Sequence, residues 1–181
     1  MLLNVVFILI FLIFGCSSSS SETVEIFHDV SEGILYIKMT LKNDSGFVNI
    51  EYPNKVKKDN FFLDFNIKDN KAPLSLLKVS FNGIELDFKE VLLPYDKTGK
   101  LDGEEYILPF DDSMELTGFF ICLSPKVIER LKLLEFAKAE GLKFDVECIE
   151  RESGVKHNIS FNSSVSGAWK FFELVDKFEG P

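Results

Sequence analysis

The chain has 181 residues, 46% hydrophobic and 27% charged, which fits one globular domain with or without a leader and excludes a disordered or fibrous chain. Its formal net charge is −9, and its densest basic cluster, Lys55, Lys57 and Lys58, is short and lies beside Asp59, so nucleic acid is excluded as a partner. Phe is abundant at 19 residues and Arg stands only at 130 and 151, the bias of an AT-rich genome and not a chemical signature.

Residues 1–14, MLLNVVFILIFLIF, are apolar apart from Asn4 and carry no charged side chain. The run has the length of a signal-peptide core and is shorter than the ~20 residues that span a bilayer as a helix. Gly15 and Cys16 follow, then Ser17 to Ser21. Ile13-Phe14-Gly15-Cys16 resembles the lipobox of bacterial lipoproteins: an aliphatic residue, a variable one, a small one and Cys. That resemblance implies removal of the leader before Cys16, diacylation of the Cys16 thiol and acylation of the new N-terminus. More than one acyl chain makes a stable anchor. Phe14 is bulky for its place and the n-region lacks Lys and Arg, a loose form similar to the lipoboxes of spirochaetal, Borrelia-type surface lipoproteins. The implied address is the outer membrane, at the cell surface. An N-terminal membrane helix or a plain secretory signal is the alternative. The division expected is a signal peptide over 1–15, a Ser-rich tether over 16–22 and a single domain over 23–181. The tether has no apolar group to bury and cannot offset the entropy of being ordered.

From Val24 the pattern has period two. Leu35, Ile37, Met39 and Leu41 alternate with polar residues, a strand with one wet face. Asn43-Asp44-Ser45-Gly46 is a turn, and Phe47 to Tyr52 returns as a strand stopped by Pro53. Phe61 to Ile67 is a further strand. Asn82-Gly83 between alternating apolar residues over 77–88 predicts a type I′ hairpin, because both turn positions need φ > 0. Residues 89–114 show no sustained period and read as the longest irregular stretch.

Leu116 to Leu123 is almost continuously apolar, a strand expected to be covered on both faces. The expected cover is an amphipathic helix over 125–139: Ser124 suits the N-cap, Pro125 the first helical position, and Gly141 the stop. Leu142 to Cys148 and Val155 to Phe161 alternate as an antiparallel pair. Trp169, Phe172 and Val175 fit a C-terminal helix over 168–178, although Phe171-Phe172 also suits a strand. The sum is a mainly β fold, an antiparallel β-sandwich, Ig-like or related, with one inserted helix and this second one near the C-terminus.

Chemical motifs are sparse. Cys122 and Cys148 read either as a disulfide, permitted outside the cytoplasm, or as two buried free thiols. His28 and His157 stand in no zinc-ligand spacing, and His157 reads as a packed strand residue. Ser75-Leu76-Leu77-Lys78 matches the Ser-Xaa-Xaa-Lys pattern of penicillin-binding proteins, but it falls on a strand and its partner motifs are missing. Asp96, Lys97, Lys100, Asp102, Glu104 and Glu105 crowd the long loop, whose carboxylate spacing is wrong for an EF-hand. No cofactor signature is present. The expectation is a non-enzymatic surface binding module, tied to the membrane by its N-terminal lipid, that meets a host or envelope partner through the 89–114 loop. A periplasm-facing structural lipoprotein and an enzyme with a spatial carboxylate pair are the rivals, the latter to be recognised by a pocket lined with carboxylates or His157.

Overall fold

The computed structural model describes residues 20–30, 33–53, 61–70, 72–87, 106–109, 115–123 and 125–179. The leader, Cys16 and the Asp96–Glu105 cluster lie outside the described residues. The described chain runs β1 (Ser21–Asp29), β2 (Ile34–Asn43), β3 (Gly46–Pro53), β4 (Phe61–Lys68), β5 (Leu74–Phe81), β6 (Ile84–Glu85), β7 (Tyr106–Pro109) and β8 (Glu115–Leu123). Then come α1 (Pro125–Leu131), α2 (Leu133–Ala139), β9 (Lys143–Glu150), β10 (Lys156–Asn162) and α3 (Val165–Glu179). The strands form two antiparallel sheets, ordered β1-β2-β3-β4-β8-β7 and β10-β9-β5-β6. Four strands lying side by side in chain order make this a meander-based antiparallel β-sandwich.

Alternation puts Ile37, Met39, Leu41, Val48, Ile50, Leu63, Phe65, Ile67, Phe119 and Ile121 on one side of the larger sheet, all buried. They meet Val79, Phe81, Phe144, Val146, Cys148 and Phe161 of the smaller sheet in one core. The abundant phenylalanines fill this space. Phe65 meets Phe144 edge-on at 5.9 Å between centroids, and Phe81 lies 5.2 Å from Phe144.

The helix expected over 125–139 is two short helices hinged at Lys132, whose backbone is left-handed at φ 50 and ψ 45. The hinge has a packing reason. Leu131 and Leu133 are both buried, yet in one straight helix residues two apart point about 200° from each other. Turning the axis at Lys132 brings both to the core. Val127, Leu131, Leu133 and Ala137 of these helices join the same core as Leu123.

The C-terminal helix begins at Val165, three residues before the reading from sequence. Ser164 caps it, its Oγ accepting from Gly167 N at 2.9 Å, and Glu22 of β1 accepts from Ser164 N at 2.6 Å. Its buried stripe is Ala168, Phe171, Phe172 and Val175, so Trp169, expected within the stripe, lies outside it, half-exposed beneath the Lys138 ammonium. A strand the sequence did not suggest, β7, lies within the stretch read as irregular.

Candidate functional site

Neighbouring strands run in opposite directions, so the β2–β3, β4–β5 and β9–β10 connections all fall at one end of the sandwich. Between them lies a cleft of about 610 Å³. Ile67 and Leu74 at strand ends, with Ile159 from the middle of β10, core residues all three, form its apolar floor. Asp44 and Ser45 come from the first turn, Lys68, Asp69 and Asn70 from the second connection, and Glu150, His157 and Asn158 from the third hairpin.

Each wall is locally built. Asn43 Oδ1 accepts from Ser45 N at 2.8 Å, fixing the first turn, while Asn43 Nδ2 donates to Ser160 O at 2.8 Å and ties it to the other sheet. Asp69 is buried and accepts from Thr117 Oγ1 at 2.7 Å; Thr117 Oγ1 in turn accepts from Leu74 N at 3.2 Å. Asn70 adopts φ 48 and turns the chain back toward β5. On the third wall His157 Nε2 lies 2.9 Å from Glu150 Oε1, with the two side chains 39% and 22% exposed. Ser153 Oγ donates to the other Glu150 oxygen. The Ser153 hydroxyl first, and then the imidazole, hold the Glu150 carboxyl below the usual carboxylate range.

The order of these groups sets the chemistry. Here the carboxylate stands between imidazole and hydroxyl. A nucleophilic relay needs the imidazole in the middle, so that the hydroxyl proton has a base to go to. Ser153 is thus bonded to a positioning carboxylate and not to a base. Glu150 and Asp69 are already engaged within the protein. By contrast the side chains of Ser45, Lys68, Asn70 and Asn158 make no hydrogen bond or ion pair with other groups of the molecule, among the described residues. The groups left to a ligand are mainly donors and amides.

Of the two readings of Cys122 and Cys148, a disulfide or two buried free thiols, the structure has the second: both are free and buried. Ile121 and Leu123 point into the core, so Cys122 projects from the other face of the larger sheet, opposite Phe62, whereas Cys148 is inside the core on β9. A six-stranded sheet separates them. Burial pushes the Cys122 thiol up to about 11, and burial with the Glu147 charge pushes Cys148 up to about 12, so neither is a thiolate at neutral pH. Ser75 accepts from Arg151 Nε at 3.1 Å and Lys78 pairs with Glu85 at 2.6 Å, so the Ser-Xaa-Xaa-Lys residues serve separate strand contacts. His28 is exposed on β1. His157, read as a packed residue, is half-exposed at the cleft.

Sequence reasoning missed Asp44, Asp69, Asn70, Glu150 and Asn158 as a group. Their signal was present in part: the polar turns Asn43–Gly46 and Glu150–Gly154 each join consecutive antiparallel strands of one sheet, and the polar stretch after β4 carries the chain from one sheet to the other. Hairpin parity brings such turns to a common end. Among the described residues, no cluster of three or more His, Cys, Asp or Glu has the arrangement to hold a metal, and no helix is long and apolar enough to cross a membrane. Compared with protein-family models, curated proteins and solved structures, the chain matches none.

Proposed function

We propose that the chain is a lipid-anchored binding module of the bacterial envelope, cut before Cys16, held at the outer surface through that residue, and taking a neutral, hydroxyl-rich ligand of the saccharide class in its end cleft. The observation that carries the reading is the division of the cleft's polar groups into carboxylates already bonded within the protein and donors left free. An anionic ligand would face Asp44, Asp69 and Glu150 together. A cationic one would meet the unpaired Lys68 ammonium. Uncharged hydroxyls satisfy amides, an ammonium and an imidazole without either penalty, and the apolar floor suits the C–H face of a sugar ring. The lipobox-like Ile13–Cys16 and the Ser run after it support the address.

Two measurements test this. Mass spectrometry of the protein from its own membrane should find residues 1–15 absent and Cys16 acylated; an intact residue 1 or a bare sulfur ends the anchoring part. NMR titration with neutral oligosaccharides should shift Asn70, His157 and Asn158, and Asn158→Ala with Lys68→Ala should remove the shifts. No shift with neutral sugars, while anions move the same residues, sinks the ligand class. A second reading, an enzyme using His157 as general base, is favoured by the Glu150–His157 pair in an open cleft. Turnover of a bound oligosaccharide that Glu150→Gln abolishes would establish it.

A further inference from the structure

The four sheet edges are unequal. β6 has two residues and β7 has four, ending in Pro109. β10 carries Lys156, and its Ser160 carbonyl is taken by Asn43 Nδ2. Short length, Pro, Lys and side-chain covering are the devices by which proteins blunt an edge. β1 is not shortened and has no Pro or Lys, its only such device being the charges of Glu22, Glu25 and Asp29. It is nine residues long and pairs with β2 from Ser21↔Lys42 to Asp29↔Ile34 without a bulge. Among the described residues, its outer side faces no other strand. Its hairpin leaves Ile26 51%, Phe27 47% and Val30 81% exposed, and past Tyr36 the register gives β2 no β3 partner.

We infer that β1 pairs antiparallel with β1 of a second copy of this chain, about a two-fold axis at Glu25, joining the two larger sheets into one. The sequence of the strand selects this occupant because it complements itself in that register. Glu22 falls opposite His28, Val24 opposite Ile26 and Thr23 opposite Phe27, each twice. These are a carboxylate–imidazole pair, an apolar pair, and a β-branched–aromatic pair. Glu25 meets its own counterpart at the axis, and each copy's Glu25 already has Lys38 at 3.5 Å. The alternation stays in phase. Val24 and Ile26 lie on the core-facing side with Met39 and Ile37, so the two sandwiches share one face. Ser164, held on Glu22, starts α3. The same register therefore brings the first turn of that helix in one copy beside the exposed Ile26 of the other. This pairing is independent of the anchoring and ligand readings.

Position-specific cross-linking of the full chain tests it. Residues facing across such an axis have Cα atoms about 4.5–5.5 Å apart, within disulfide reach. Glu25→Cys should therefore oxidise to a covalent dimer well above the background of the unsubstituted chain. Thr23→Cys and Phe27→Cys should each stay at background, since each residue lies roughly 13 Å along the strand from its own counterpart. The double variant Thr23→Cys with Phe27→Cys should link. Adding Ile26→Lys to Glu25→Cys should lose the dimer with an unchanged Tm, because Ile26 is half-exposed in the single copy. Equal linking at 23, 25 and 27, no linking at 25, or an adduct at 25 with a different protein would each overturn the proposal.

Discussion

Gly46 opens β3 at φ +144, and a methyl group there would lie 2.1 Å from the Asn66 carbonyl oxygen of β4. That neighbour is backbone and cannot move aside. Gly46→Ala should destabilise by ~3 kcal/mol or more in denaturant unfolding. Gly83 at φ +80 has open space around it, so Gly83→Ala meets only the left-handed backbone strain, about 1 kcal/mol. Glu51 shows a different kind of frustration. It lies on the outer face of the larger sheet, where burial first and the Asp64 charge second raise its pKa, against the pull of Lys38. A carboxyl raised on folding disfavours the folded state once pH passes its unfolded value, and has no effect below that, where both states are protonated. Glu51→Gln should therefore raise Tm at neutral pH and leave it unchanged below the ordinary carboxylate range. Thermal melts at the two pH values check the sign. The thiols make a third case at this scale. With Cys122 and Cys148 buried and undissociated, a thiol reagent should modify them in the folded protein only at the rate of unfolding.

At the scale of elements, the Glu22 carboxylate joins the first strand to the last helix by accepting from Ser164 N, and the absent side chain of Gly167 leaves room for it. Glu22→Ala should cost about 1 kcal/mol and speed amide exchange in the first turn of α3 without touching β9 and β10. Which elements were legible follows from how local their causes are. Asn82-Gly83 closes a two-residue loop between Phe81 and Ile84 with both φ values positive, 44 and 80, as the turn chemistry requires. Period-two alternation marked β2 and β9 because each has one wet face. The break at Lys132 was illegible because it answers to Leu131 and Leu133 meeting a core built from distant strands. β7 was hidden for a similar reason: four residues are too few to show a period, and the strand exists by pairing Tyr106–Pro109 with β8. The cleft residues were each legible as turns but not as a site, since their convergence depends on sheet order.

At the scale of the whole molecule, Thr117 connects the two sheets. Its hydroxyl on β8 donates to Asp69 after β4 and accepts from Leu74 N at the start of β5. Thr117→Val keeps the shape but leaves a buried carboxylate without that donor and a backbone N–H without that acceptor. The loss should be ~2–3 kcal/mol in chemical unfolding, with perturbed shifts around the cleft. The path of β1 has a consequence for orientation. Ser21 pairs with Lys42, close to the β2–β3 turn, so the chain enters the fold at the end that holds the cleft, while Val30 marks the far end. Four residues lie between Cys16 and Ser21, a leash of five backbone steps that reaches at most roughly 17 Å when fully stretched. Under the proposed anchoring, the mouth of a copy not paired through β1 would then look down at the headgroup layer, and cargo would have to slip in sideways beneath the protein, leaving the hairpin tip as the part that faces the open medium.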